Sequence, residues 1–279
     1  MGTVASSVIA VRVLGDLNMR RRWSFERGSM GRLEGKVAII SGAARGIGGA
    51  AARLFVGEGA RVVLGDILEE EGSQLAEALG PSARFQPLDV TDPRSWETAV
   101  EVAQSAFGPL TTLVNNAGVV ALHSVADVVV EEYERVIAVN QTGVLLGMQA
   151  AYRAMAPQGG GSIMNVSSTA AMSAYPGIIS YVASKWAVRG MTKAAALEMA
   201  SSGIRVNSIH PGQIQTALNT GTATEGIPLG WRGVPENIGW LLVYLASDES
   251  AFTTGTEHVV DGGETTILGT TAVQVRPTP

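Results

Sequence analysis

Short β-branched apolar runs alternate with longer stretches of mixed polarity along most of the chain. Val37-Ala38-Ile39-Ile40-Ser41, Arg61-Val62-Val63-Leu64-Gly65, residues 84–88, Thr111-Thr112-Leu113-Val114, residues 162–167, Arg205-Val206-Asn207-Ser208-Ile209 and Glu257-His258-Val259-Val260 have the length and composition of strands. Between them, helices are predicted at about 49–56, 68–79, 93–107, 130–156, 180–200 and 235–247. Asp92-Pro93 supplies a capping side chain and a first-turn proline for the third of these. Strand and helix in strict alternation predict an α/β domain with a parallel sheet. No internal repeat or domain linker interrupts the pattern, so residues 30–268 read as one domain. The one long irregular segment is about 213–234, and loops of that length are uncommon unless functional.

The turn after the first strand is chemically specific. Gly42-Ala43-Ala44-Arg45-Gly46-Ile47-Gly48 leads straight into an Ala-rich helix. Strand, glycine turn and helix form the first unit of a dinucleotide-binding βαβ, in which the backbone approaches a pyrophosphate and the helix N-terminus offers free N–H groups. The spacing is G-x-x-x-G-x-G, and a bare strand-to-helix turn would also satisfy it. The second strand ends at Asp66, followed by Ile67. A carboxylate there accepts from ribose hydroxyls and repels a 2′-phosphate, which favours NAD over NADP. Arg45, a cation in the same turn, is the opposing signal; like charge at close range outweighs it.

Tyr181 and Lys185 lie four residues apart within a predicted helix, one turn above each other on one face. An ammonium beside a phenol favours phenolate, so the tyrosine pKa is expected to fall from its usual value of about 10. Taken alone, the spacing also describes a surface pair that supports a helix. Ser168 stands thirteen residues before Tyr181, just past an apolar strand, where its hydroxyl can reach the same helix. Ser167 adjoins it, and the interval favours Ser168.

Composition removes other function classes. The apolar fraction of 46% is ample for a large core, and the formal net charge of −5, with no basic block beyond Arg27, disfavours nucleic acid or an anionic membrane as partner. No cysteine is present, which excludes disulfides, thiolate metal sites and thiol catalysis. His123, His210 and His258 have no metal-ligand spacing, so no metal is expected. No apolar stretch reaches the length of a membrane span. Residues 1–29 differ from the rest: Arg20-Arg21-Arg22 follows their apolar part, opposite to a secretory signal. They read as a disordered extension, residues 269–279 as a loose tail, and the protein as cytoplasmic.

With these motifs in order, the chain resembles the short-chain dehydrogenases/reductases over about residues 33–266. The resemblance rests on Gly42, Gly46 and Gly48; Asp66; Asp89-Val90; Asn115-Asn116-Ala117-Gly118; Asn140; Ser168; Tyr181 and Lys185; and Pro211-Gly212 with Thr216. Runs such as Gly65-Asp66-Ile67-Leu68-Glu69-Glu70-Glu71-Gly72 are similar to bacterial 3α(or 20β)-hydroxysteroid dehydrogenases. It implies a doubly wound Rossmann fold with a seven-stranded parallel sheet and helices on both faces. It also implies NAD(H)-dependent hydride transfer between a secondary alcohol and its ketone, on the B face of the nicotinamide.

By the same resemblance, Tyr181 is the general acid/base. Lys185 lowers its pKa and holds the nicotinamide ribose, Ser168 binds the substrate oxygen, and Asn140 holds a water that relays protons from Lys185. A buried Asn tying helix to sheet is the other reading of Asn140. Gly42, Arg45, Gly46, Ile47, Gly48, Asp66, Ile67, Asp89, Val90, Asn116, Ala117 and Gly118 would line the cofactor. Pro211, Gly212, Ile214 and Thr216 would meet its carboxamide end. Ser41 stands where the family usually has Thr, and Ala217 where Pro is common.

The substrate walls are expected from 119–125, 169–179 and the 213–234 loop, with Ser168, Ala170, Tyr175, Gln213, Leu218 and Trp231 in the pocket. These segments are mostly apolar and carry no Arg or Lys except Arg232. That fits a bulky neutral alcohol or ketone such as a steroid. A 3-oxoacyl-(acyl carrier protein) reductase and a non-catalytic dinucleotide sensor are the alternatives. Pairing of the 130–156 and 180–200 helices across subunits of a homotetramer is a further implication of the resemblance.

Overall fold

All seven apolar runs become parallel strands in the computed structural model of the chain, which describes residues 31–221 and 223–266. The extension expected over 1–29 and the tail from 269 lie outside the described residues. The strands are β1 (Val37–Ser41), β2 (Arg61–Asp66), β3 (Ala83–Pro87), β4 (Thr112–Asn115), β5 (Gly161–Val166), β6 (Ile204–Pro211) and β7 (Glu257–Val260). The helices are α1 (Gly46–Gly57), α2 (Glu69–Leu79), α3 (Pro93–Phe107), α4 (Val130–Ile137), α5 (Gly143–Met155), α6 (Ile179–Met199) and α7 (Pro235–Ala246). The sheet order is β3-β2-β1-β4-β5-β6-β7, and every pairing is parallel.

The core follows from the strand period. Along β1, Ala38 and Ile40 pack on one face with Phe55 of α1, Leu75 of α2 and Ile238 and Leu242 of α7. Val37 and Ile39 pack on the other with Trp96 of α3, Met148 of α5 and Val188 of α6. A strand covered on both faces has no polar side to present, which is why these runs are continuously apolar. The helix layers therefore lie on opposite faces of the sheet, and the fold is the expected doubly wound one. The strand order reverses between β1 and β4, so the loops leaving their carboxyl ends part and open a crevice there.

One predicted element is built differently. The single helix expected over 130–156 is α4 and α5 joined by a π-helical turn at Ala138–Thr142. A π turn inserts an extra residue into the helical repeat, and here it rotates Asn140 to full burial.

Candidate active site

The glycine turn is held open by its neighbours. Ser41 ends β1, and its Oγ accepts from the N–H groups of Asn116 at 3.0 Å and Ala117 at 3.2 Å. The Asn116 amide donates in return to the carbonyls of Ser41 and Gly42, at 3.1 and 3.0 Å. This lattice fixes the carboxyl ends of β1 and β4 side by side. The side-chain part of the lattice uses only the Ser41 hydroxyl, a group that Thr would carry as well. A Cβ on Gly42 would sit 2.8 Å from the Ala117 Cα, and one on Gly48 would run into the Gly42 carbonyl. Gly42 and Gly46 have φ of 64° and 56°, the left-handed region that favours glycine. The Arg45 side chain does not cap α1, and no acidic residue occupies its first turn, so among the described residues its leading N–H groups stay free for an anion.

Asp66 lines the end of the crevice beside the glycine turn. Its side chain accepts from Ala44 N–H at 2.9 Å and Leu68 N–H at 3.1 Å. Only 8% of the residue is exposed, so the carboxylate edge faces the crevice and not open water. Arg45, the opposing cation, is exposed and lines the same crevice.

Tyr181, Lys185 and Ser168 meet deeper in the crevice. The Lys185 ammonium donates to the Val166 carbonyl at 2.9 Å and lies 5.5 Å from the centre of the Tyr181 ring. Burial pushes the Lys185 pKa down to about 8. The Tyr181 pKa does not fall as the sequence led us to expect. Burial of the phenol pushes it above its ordinary value, the Ser168 side chain lowers it in part, and Tyr175 raises it. The physical reason is competition. Lys185 is itself poorly solvated and is turned to a main-chain oxygen, so its field does not offset desolvation of the phenolate. Ser167 and Ser168 separate cleanly: Ser167 Oγ donates to the Lys185 carbonyl at 3.1 Å, leaving the half-buried Ser168 as the hydroxyl beside Tyr181.

No direct hydrogen bond joins Asn140 to Lys185. Its amide donates to the Val119 carbonyl at 2.8 Å and to Ser184 Oγ at 3.1 Å, and its Oδ1 accepts from Val119 N–H at 2.8 Å. All the bonds seen for this side chain are those of a strut between helix and strand end.

One cavity of about 640 Å³ joins these groups. It is lined by Gly42, Arg45, Gly46, Ile47, Asp66, Ile67, Asp89, Val90, Asn116, Ala117, Gly118, Tyr181, Lys185, Pro211, Gly212, Ile214 and Thr216, together with Ser168, Ala170, Tyr175, Gln213 and Leu218. Gly48 and Asn140 are buried behind its wall. Trp231 does not enter it. The chain turns Arg232 inward, where its guanidinium donates to the carbonyls of Ile214 and Asn219 at 3.1 and 2.8 Å. The preceding indole is left 51% exposed on the outer side. Leu122, Ile178 and Asn219 also line the cavity and were not singled out from sequence. Ile178 is brought there by a parallel bridge to His123, a non-local pairing with no local signature.

A family model described as Enoyl-(Acyl carrier protein) reductase matches residues 42–265. A 3-alpha-(or 20-beta)-hydroxysteroid dehydrogenase of Mycobacterium tuberculosis is 48% identical over 240 residues, covering 84% of this chain and 90% of that protein. An NADP-dependent (R)-specific alcohol dehydrogenase of Lentilactobacillus kefiri is 43% identical over 247 residues, covering 84% and 98%. A crystal structure of a short-chain type dehydrogenase/reductase from Mycobacterium marinum superposes with a TM-score of 0.78 at 36% identity, covering 84% of this chain and 96% of that one. The chain belongs to the short-chain dehydrogenase/reductase family.

As a short-chain dehydrogenase/reductase it is an oxidoreductase of CH–OH groups in secondary alcohols, in a family that binds a nicotinamide dinucleotide. The residues present fit that group. The uncapped α1 terminus suits a pyrophosphate, the glycines leave a cradle that a Cβ would fill, and the cavity volume lies in the usual range of roughly 300–1,000 Å³ for ligand sites.

Proposed function

We propose that the chain is an NAD(H)-dependent dehydrogenase that interconverts a bulky apolar secondary alcohol, of hydroxysteroid type, with its ketone. The observation that carries this reading is the convergence of Tyr181, Lys185 and Ser168 in one crevice whose far end is closed by the Asp66 carboxylate. The bound dinucleotide supplies the hydride acceptor and, when oxidised, positive charge near the phenol. Ser168 Oγ holds the substrate oxygen. Tyr181 Oη, as phenolate, takes the proton of the alcohol, and in the reverse direction returns it to the carbonyl oxygen. Lys185 Nζ stabilises that phenolate and orients the nicotinamide ribose. Asn140 acts through Val119 by holding the loop after β4, which would form part of the dinucleotide's wall.

NAD is preferred to NADP because a 2′-phosphate placed at Asp66 would meet a buried carboxylate. An NADP-dependent alcohol dehydrogenase stands among the relatives, so this preference rests on Asp66 and not on family membership. The apolar substrate reading draws support from Val119, Val120, Leu122, Ala170, Ile178 and Leu218 on the cavity wall. Exposed apolar side chains on α4–α6, including Tyr133, Leu145, Tyr152, Trp186 and Leu197, support self-association as a homotetramer; sedimentation in solution tests it.

The acyl carrier description of the matching family model favours one second reading, reduction of an acyl thioester. Turnover of steroid alcohols, cyclic ketones and acyl thioesters with NAD(H) and NADP(H) decides between the two. Steroid or ring alcohols with NAD are the expected best pair; a preference for acyl thioesters with NADPH would overturn the proposal.

A further inference from the structure

An acidic side chain that the acid/base chemistry leaves unused lies behind two residues of the crevice wall, Tyr175 and Gln213. Glu264 follows β7, and its Oε1 accepts from the Tyr175 hydroxyl at 3.2 Å and from the Gln213 amide at 3.4 Å. Its Oε2 is buried and has no hydrogen-bond partner among the described residues. Asp261 nearby differs, because its oxygens are taken up by its own turn through Gly263 N–H and the N–H and hydroxyl of Thr265. No ion pair to Glu264 occurs among the described residues. Arg232, the basic residue of the 213–234 loop, gives its guanidinium to main-chain carbonyls instead.

The direction of these bonds sets what a ligand meets. A carboxylate has no proton to give, so the Tyr175 proton points at Glu264. The Thr169 hydroxyl lies 3.2 Å from the Tyr175 oxygen on the other side. Tyr175 and Gln213 both line the cavity. The cavity therefore meets the Tyr175 oxygen by its lone pairs, with a negative charge directly behind. A partly buried charge is screened far less than one in water, so its field reaches across the crevice.

We propose that Glu264, through the field of its charge from behind Tyr175 and Gln213, is a specificity-determining residue that excludes anionic alcohols and ketones from the substrate end of the crevice. This inference rests on the secondary-alcohol reading above and narrows it to neutral substrates. It differs from a purely apolar wall, which would reject a carboxylate through desolvation alone and would not depend on Glu264.

The test compares kcat/KM for trans-4-hydroxycyclohexanecarboxamide with that for its carboxylate, two molecules alike in shape and different in charge. Wild type should prefer the carboxamide. Glu264→Gln keeps the acceptor for Tyr175 and removes the charge, and should cut that preference by about tenfold or more. Tyr175→Phe leaves the charge in place and should retain the preference within about threefold, even where both rates fall. Should Glu264→Gln fail to fold, Glu264→Ala removes the same charge from behind the wall and should lower the preference in the same way. An active Glu264→Gln enzyme with its preference intact overturns the inference, as does a Tyr175→Phe enzyme that loses it as completely as Glu264→Gln. If wild type oxidises neither the carboxamide nor a steroid alcohol with either cofactor, the secondary-alcohol reading fails first and this inference with it.

Discussion

At the scale of the residue, Lys185 is placed where function and stability conflict. It is 3% exposed, and among the described residues the one hydrogen bond of its ammonium goes to the Val166 carbonyl. Its pKa in the fold, about 8, lies below the ordinary 10.5. The folded state thus holds fewer protons than the unfolded one between those values. The penalty for charging Lys185 is fully present below pH about 8 and is relieved as pH rises to 10.5. Lys185→Met should therefore abolish turnover yet raise stability at pH 7 by about 1 kcal/mol or more, with the gain shrinking towards pH 10. Thermal melting of the dinucleotide-free protein checks this, and a lower melting temperature in the variant would contradict it. The Tyr-Lys spacing was legible in the sequence because both residues share one helix face. The direction of the tyrosine shift was not, because it depends on how deeply the phenol is buried.

At the scale of the element, the turn after β1 was legible for a local reason: glycines and a strand-helix junction declare themselves within ten residues. The π turn was not. Residues 130–156 contain no proline to mark a break. The irregularity arises because Asn140 reaches across to both main-chain groups of Val119, twenty-one residues away. Asn140→Ala leaves that N–H and C=O unpaired and should cost about 1–3 kcal/mol in chemical denaturation. It should also weaken dinucleotide binding, since Gly118 and Val119 line the cavity. An unchanged denaturation midpoint would remove the strut role. Asp66 belongs to this scale as well, because it both ends β2 and anchors the glycine turn through Ala44 N–H. Asp66→Ala should bring the kcat/KM ratio of NAD to NADP down by about tenfold or more. A ratio that does not move would mean another group reads the ribose.

At the scale of the whole molecule, the alternation of apolar and mixed segments fixed the single sheet with helices on both faces, and the strand order placed the crevice. The sequence could not show how the last strand is secured. Glu257 of β7 accepts from Arg189 at 2.9 Å and pairs with Lys193 at 2.7 Å, both on α6. The Arg189 hydrogen bond, with Lys193 beside it, holds the Glu257 pKa down to about 2. A depressed carboxyl pKa gives stability that is present above the ordinary 4.5 and is lost as pH falls towards 2. Glu257→Gln should therefore lower stability at neutral pH and flatten its loss between those values; parallel acid curves for variant and wild type would refute this. The central claim, that Tyr181 exchanges the substrate proton beside Lys185, is tested most directly by the pH dependence of kcat/KM for alcohol oxidation with NAD. Wild type should rise with pH as the phenol ionises, and Tyr181→Phe should be lower by roughly 10²–10⁴-fold and lack that rise while still binding NADH. A Tyr181→Phe enzyme within about tenfold of wild type, with the same alkaline rise, would contradict the account.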